Sequence, residues 1–191
     1  MKRNGYIVIG IIAVIVIYFV LAYNSLVKKD ETVKNTWNEV QNAYQRRMDL
    51  VPSLVNVVKG LTNYEQTTLV DVTAARSKAA SVDVSNISAS AYNQQVAAQD
   101  ALAASSNRLL VSVENYPQLK GTDAFKGLQV QLEGTERRIK FARKDFNAAI
   151  ADYTSSVRSF PTSIVAGITG FQPKDGFQAD AGTDKSVEIK F

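Results

Sequence analysis

The sequence predicts an all-α fold with one membrane-spanning helix, and three observations carry that prediction. Residues Tyr6 to Tyr23 form an uncharged, almost wholly apolar run. Beyond Val33, apolar residues recur every three or four positions through successive stretches of the chain, which is the period of one helix face. A period of two, the mark of a half-buried strand, is absent until the final residues. The expected architecture is a transmembrane anchor at 1–25, an antiparallel bundle of about four long helices over 26–166, and an irregular C-terminal tail over 167–191.

The anchor reads YIVIGIIAVIVIYFVLAY, with Gly10 its only helix-weakening residue. At about 1.5 Å per residue it covers roughly 27 Å, close to the ~30 Å hydrocarbon core of a bilayer. A cleaved signal peptide would end in a small-x-small cleavage site; here the run ends in Leu21-Ala22-Tyr23-Asn24-Ser25-Leu26, whose bulky residues fit that poorly. An uncleaved anchor is therefore expected, with Tyr6, Tyr18 and Tyr23 suited to interfacial depths. Lys2 and Arg3 before the run are balanced by Lys28, Lys29 and Lys34 after it, so the positive-inside rule selects neither side for the domain.

The first amphipathic stretch carries Val33, Trp37, Val40, Tyr44, Met48, Val51, Leu54, Val58 and Leu61. Neither Pro nor Gly lies between Gly10 and Pro52, so anchor and stretch are expected to form one helix, kinked near Asp49 and Leu50 by Pro52. Gly60 and Thr62-Asn63 offer a boundary. A second, Ala-rich series (Tyr64, Leu69, Val72, Ala75, Ala79) fades into a polar turn at 81–86. Ser88 is a plausible N-cap for a third helix bearing Tyr92, Val96, Leu102, Leu109, Leu110 and Val113, which should end before Pro117. With Asp123 as its expected cap, the last helix has the clearest stripe: Phe125, Leu128, Leu132, Thr135, Ile139, Ala142, Phe146, Ala149, Tyr153, Val157 and Phe160, stopped by Pro161. Glycines at 167, 170, 176 and 182 then break up the chain, and the alternating 187–191 would either dock as a short strand or fray.

At 191 residues the chain has room for the anchor and one domain. Its 22 basic and 18 acidic residues leave a net +4, spread along the chain instead of gathered into a phosphate-tracking stripe, so nucleic acid is not an expected partner. Cysteine and histidine are both absent, which removes the usual zinc sites, Ser-His and Cys-His pairs, and the di-metal bundle motif. Two charged clusters remain: Arg46, Arg47 and Asp49 before Pro52, and Glu133, Glu136, Arg137, Arg138, Lys140, Arg143 and Lys144 on the last helix. Either could hold anionic lipid or an acidic partner, but solvated helix faces usually look like this. Trp37, Tyr44 and the Phe125 to Phe160 series belong to a core more readily than to a pocket. No catalytic, cofactor-binding or metal-ligating residue is assigned, and the chain is not expected to be an enzyme; Glu65 and Glu136 are the carboxylates whose substitution would test that.

Taken together, the segment Arg46-Arg47-Met48-Asp49-Leu50-Val51-Pro52-Ser53-Leu54-Val55, then Val58-Lys59-Gly60, Glu65 and Ala75-Arg76, resembles the signature of the LemA proteins. So do Glu114-Asn115-Tyr116-Pro117-Gln118-Leu119-Lys120, Phe125, Leu128-Gln129, Leu132, Thr135-Glu136, Ile139, Ala142-Arg143, Phe146-Asn147, Phe160-Pro161 and Gly170-Phe171. The resemblance runs from about Asn24 to Phe177 in unbroken order. It implies a single-pass protein of the bacterial inner membrane with a helical-bundle domain and no established enzymatic activity, whose relatives are associated with membrane organisation and, in one branch, with building intracellular membrane compartments. Phe146 departs from the Tyr often found there, which argues against a proton donor at that position. The expected function is a non-enzymatic, self-associating scaffold that contacts membrane lipid, further copies of itself and unidentified membrane or envelope proteins. The alternative is a membrane-anchored sensor of a ligand or peptide, for which Ile164, Val165, Ile168 and Phe171 are the nearest thing to a binding patch.

Overall fold

The computed structural model describes residues 2–60, 66–83 and 88–177. Among these the chain is helical, without a strand: α1 (Lys2–Lys59), α2 (Gln66–Ala80), α3 (Ala89–Ser112), a 3-10 turn (Val113–Asn115), α4 (Pro117–Lys120), α5 (Asp123–Arg158) and α6 (Thr162–Thr169). The four long segments read from the stripes are α1, α2, α3 and α5. The strand considered at 187–191, Tyr64 and the Thr62-Asn63 pair lie outside the described residues. Two compact units emerge, Met1–Tyr44 with Glu136–Asp175, and Gln45–Thr135 with Gly176–Phe191.

In the first unit, α1 carries the segment that is long and apolar enough to cross a membrane. Its side chains there, from Tyr6 to Leu21, are largely exposed. Burial begins at Ala22 and Leu26 and continues on the expected stripe through Val33, Trp37, Val40 and Tyr44. These residues face Ile139, Phe146, Ile150, Tyr153 and Val157 of α5, all buried. The two helices are antiparallel: Lys29 Nζ donates to Asp152 Oδ1 at 2.6 Å, while farther along α1 the Trp37 ring lies 5.3 Å from that of Phe146. Two apolar stripes stepping three and four thus bury each other, as the periodicity requires.

The second unit gathers Met48, Val51, Leu54 and Val58 of α1, Leu69, Val72 and Ala79 of α2, Leu102 and Leu109 of α3, Val113, Leu119, and Phe125 and Leu132 of α5 into one core. Local signals set the helix ends. Gly60 follows the last residue of α1. The Ser88 hydroxyl accepts from the Ala91 amide at 3.2 Å, the expected cap. Pro117 begins α4, where its missing N–H costs nothing. The α5 cap is Thr122 instead of Asp123: its Oγ1 accepts from the Phe125 amide at 3.3 Å. Asp123 is then a first-turn acid, favourable to the helix dipole. Phe160 also departs from expectation. Because α5 ends at Arg158, Phe160 leaves the stripe and is 82% exposed; the Phe160–Pro161 peptide bond is cis.

Leu132 and Phe146 are buried while Lys140 on the same helix is exposed. Leu132→Ala or Phe146→Ala should therefore each destabilise by about 2 to 5 kcal/mol, and Lys140→Ala by about 0.5 or less. Urea unfolding of the full-length protein in detergent, followed by far-ultraviolet circular dichroism, checks this; equal effects from all three would remove α5 from the core.

Candidate functional site

The stretch around Pro52 shows how one awkward residue is accommodated. Proline has no N–H, so the carbonyl of Met48, four residues earlier, lacks its helical donor. Arg76 on α2 supplies one: its Nε donates to the Met48 oxygen at 2.8 Å. The helix continues to Lys59, and two residues 28 positions apart in sequence are tied together by a single missing donor. The neighbouring basic pair divides. Arg46 is exposed, whereas Arg47 is only 3% exposed and donates from Nη1 to the Gln99 main-chain oxygen at 2.9 Å and to its Oε1 at 3.2 Å. Gln95, Gln99 and Ser106 lie buried on α3, so the seam of this unit is partly polar.

The expected stripes missed this seam because they counted apolar residues only. Continuing the step of three and four from Val40 and Tyr44 lands on Arg47, Val51 and Leu54. From Tyr92 it lands on Gln95, Gln99, Leu102, Ser106 and Leu109. The period itself was the signal.

A second polar cluster ties the C-terminal segment to the first unit. Gly170 takes the left-handed conformation (φ +81°) that glycine alone adopts without penalty, and the Phe171 amide donates back to the Ala166 oxygen at 3.0 Å, closing α6 as a Schellman cap. Phe171 then packs near Tyr23 and Tyr153, with ring centroids 5.9 and 6.5 Å away. Lys174 follows. Its amide donates to Thr154 Oγ1, that hydroxyl donates to the Lys174 oxygen at 3.0 Å, and its ammonium pairs with Asp30 and sits 5.1 Å from the centre of the Tyr153 ring. Burial alone would raise the Asp30 pKa, but the hydrogen bonds and charges of Lys174 and Lys34 outweigh it and hold the carboxyl below its ordinary 3.8. Burial, helped by the Asp30 charge and partly offset by the Gln172 backbone, raises the Tyr153 pKa. In the second unit, burial pushes Tyr92 up to about 12.

These perturbed groups sit in packed, paired surroundings and do not converge on an open cleft. Among the described residues, no group of three or more acidic side chains is placed to hold a metal ion. Asp49, Glu133, Glu136, Arg137, Arg138, Lys140 and Lys144 are exposed, and Arg143 is half-buried. Asp49 accepts from Gln45 Nε2 at 2.8 Å and Glu133 from Gln129 Nε2 at 3.1 Å, ordinary contacts of a solvated helix face. Trp37, Tyr44 and Phe146 are core residues. Glu65 lies outside the described residues. The patch considered for a sensor is split: Val165 is buried and Phe171 packs between tyrosines, while Ile164 and Ile168 stay exposed. One cleft of about 480 Å³, lined by Lys59, Gln66, Leu69, Val70 and Thr73 among others, opens beside α2.

Fold and site together define a helical protein with one helix long and apolar enough to cross a membrane. The chain belongs to the LemA family, whose sequence profile matches residues 36–191. It is similar to protein LemA of Metamycoplasma hominis, 24% identical over 167 residues that cover 86% of this chain and 74% of that protein. It is also similar to magnetosome protein MamQ 2 of Paramagnetospirillum magneticum, 34% identical over 80 residues, and to magnetosome protein MamQ of Magnetospirillum gryphiswaldense, 32% identical over 80 residues. Each of these two matches covers 42% of this chain and spans only 29% of the MamQ length.

If Arg76 answers the proline, its value depends on the proline. Arg76→Met should cost about 1 to 3 kcal/mol in the natural sequence and clearly less in a Pro52→Ala background, where residue 52 regains an N–H for Met48. Additive effects in this double-mutant cycle would separate the two residues. Asp30 gives a pH-dependent counterpart. Its pKa is lowered on folding, so its stabilisation is complete at pH values above its ordinary 3.8 and is lost as the pH falls below that, through the folded value. Asp30→Asn should lower the melting temperature at neutral pH, and the gap to the unmodified protein should close on acidification. A gap that stays constant down to strongly acidic pH would show that Asp30 is not the titrating group.

Proposed function

We propose that this protein is a non-enzymatic, single-pass protein of a bacterial inner membrane whose helical domain self-associates and organises the membrane or its envelope partners. The observation that carries the reading is the division of α1. Its first part exposes an unbroken apolar girdle from Tyr6 to Leu21, and the same helix continues into the buried stripe of the domain. Exposed apolar surface on that scale has no stable place in water, while a helix satisfies its own backbone within hydrocarbon. A domain built on the extension of its own anchor transmits position to the membrane without a flexible linker. The relatives named as magnetosome proteins match this chain over less than a third of their own length, and the membrane-organising role is the one the family resemblance implies. Lipid, further copies of the chain and other envelope proteins are the partners this function requires.

The second reading, a membrane-anchored ligand sensor, draws on the cleft beside α2, whose size falls within the range of small-molecule sites. The two readings separate on assembly. Ser155 is exposed, and the chain has no native cysteine, so Ser155→Cys accepts a single dye. Donor- and acceptor-labelled full-length protein reconstituted in vesicles should show energy transfer that survives lipid dilution and falls when unlabelled protein is added. A strictly monomeric mass in native detergent, with no energy transfer, would remove the scaffold reading and leave the sensor. The same cysteine, tested with an impermeant reagent in intact and permeabilised cells, assigns the side of the membrane.

A further inference from the structure

The hydroxyl oxygens of Tyr18 and Thr162 lie 3.0 Å apart, so the first turn of α6 sits beside the apolar run of α1 and not beyond its end. Tyr18 precedes Tyr23, the last residue of that run, by five positions. At about 1.5 Å per residue, α6 therefore begins roughly 7.5 Å inside it. The other end of α6 is held near Tyr23 through Phe171.

At this depth α6 has the composition and bonding that a bilayer requires. It reads TSIVAGIT, without a charge. The Ser163 amide donates to the Ser159 oxygen at 2.8 Å and the Ile164 amide to the Pro161 oxygen at 3.2 Å, so its first turn is supplied with acceptors. Its last turn is closed by the cap at Gly170, and Thr169 Oγ1 donates to the Val165 oxygen at 2.7 Å. Hydroxyls and amides satisfied within the protein are what surroundings poor in water demand. The side chains divide sharply: Val165 and Ala166 are buried, whereas Ile164 and Ile168 are 55% and 70% exposed. Residues four apart share a helix face, and Phe160, in the turn before the helix, is exposed as well. The helix that carries this face is tied to the exposed girdle of α1 at Tyr18, through Thr162.

We propose that α6, with Phe160, is a second membrane contact: a short helix seated in the lipid leaflet on the domain's side, its Phe160, Ile164 and Ile168 facing acyl chains. The occupant of this face is lipid. The depth of roughly 7.5 Å falls in the range at which amphipathic helices lie in a membrane interface, and eight residues are too few to span it. Arg158, exposed in the last turn of α5, stands just outside Phe160, as a headgroup ligand would. The assignment rests on the reading that residues 6–23 cross the membrane.

Single cysteines at Ile164→Cys, Ile168→Cys, Ile12→Cys and Lys140→Cys, carried on the full-length protein in phosphatidylethanolamine–phosphatidylglycerol vesicles and modified with a nitroxide, test it. All four positions are exposed, so the labels leave the core intact. Collisions with oxygen should exceed those with a water-soluble nickel chelate several-fold at positions 164 and 168, as at the mid-span position 12, with the reverse at 140. A nickel-accessible label at 168 beside a shielded one at 12 overturns the proposal and leaves the span in place. Nickel access at both overturns the two together. Dipolar broadening at 168 that disappears on dilution with unlabelled protein would assign the face to a second copy and overturn the lipid assignment.

Discussion

One helix carries two kinds of surface. From Lys2 to Lys59 α1 is a single helix, and along it the side chains change from a largely exposed apolar girdle to a stripe covered by other helices. A helix can do this because its backbone bonds are internal and indifferent to what surrounds it; only the side chains register the change. Everything else in the first unit follows from where the change falls. Ala22 and Leu26 are the first buried residues, the antiparallel part of α5 provides their successors with partners, and α6 and Phe171 return the chain to the point where girdle gives way to stripe.

Periodicity made the long helices readable because it is a property of each segment alone. Leu132, Ile139, Phe146, Tyr153 and Val157 are buried as their spacing demands, and so are Val33, Trp37 and Val40. The errors share a cause. Phe160 is apolar and in phase with the stripe, yet the helix ends at Arg158. Arg47, Gln95 and Gln99 were left out because they are polar, although they are in phase and buried. Position decides burial, and residue type decides what burial then requires: for Arg47, acceptors such as the two that Gln99 provides. The pairing itself was not legible, since it depends on which helices face one another. Thr122 displaced Asp123 as the cap of α5 by a single position, which is within the uncertainty of any boundary read from sequence.

The C-terminal segment was the least legible part. Four glycines in a short stretch suggest an irregular tail, and no local pattern distinguishes the glycine that ends a helix from one that merely weakens it. Gly167 remains inside α6, while Gly170 takes the positive φ. What selects Gly170 is tertiary: the cap directs Phe171 toward Tyr23 and Tyr153, and Lys174 then reaches Asp30 and Thr154. An irregular backbone is held here by side chains on α1 and α5 that lie more than a hundred residues and about twenty residues away in sequence.

The residues that carry the family resemblance gain a physical meaning from these contacts. Pro52 and Arg76 belong together because one creates an orphan carbonyl and the other fills it. Pro117 begins a short helix at the one position where lacking an N–H is harmless. Gly170 and Phe171 are a helix cap and its apolar anchor. Each of these residues satisfies a requirement of the backbone or the core. Three exposed surfaces remain beside these: the apolar girdle of α1, the face of α6 with Ile164 and Ile168, and the charged face of α5. The first two are apolar, and the helices that carry them are tied together at Tyr18 and Thr162, which is why the proposed membrane contact of α6 stands beside the proposed span.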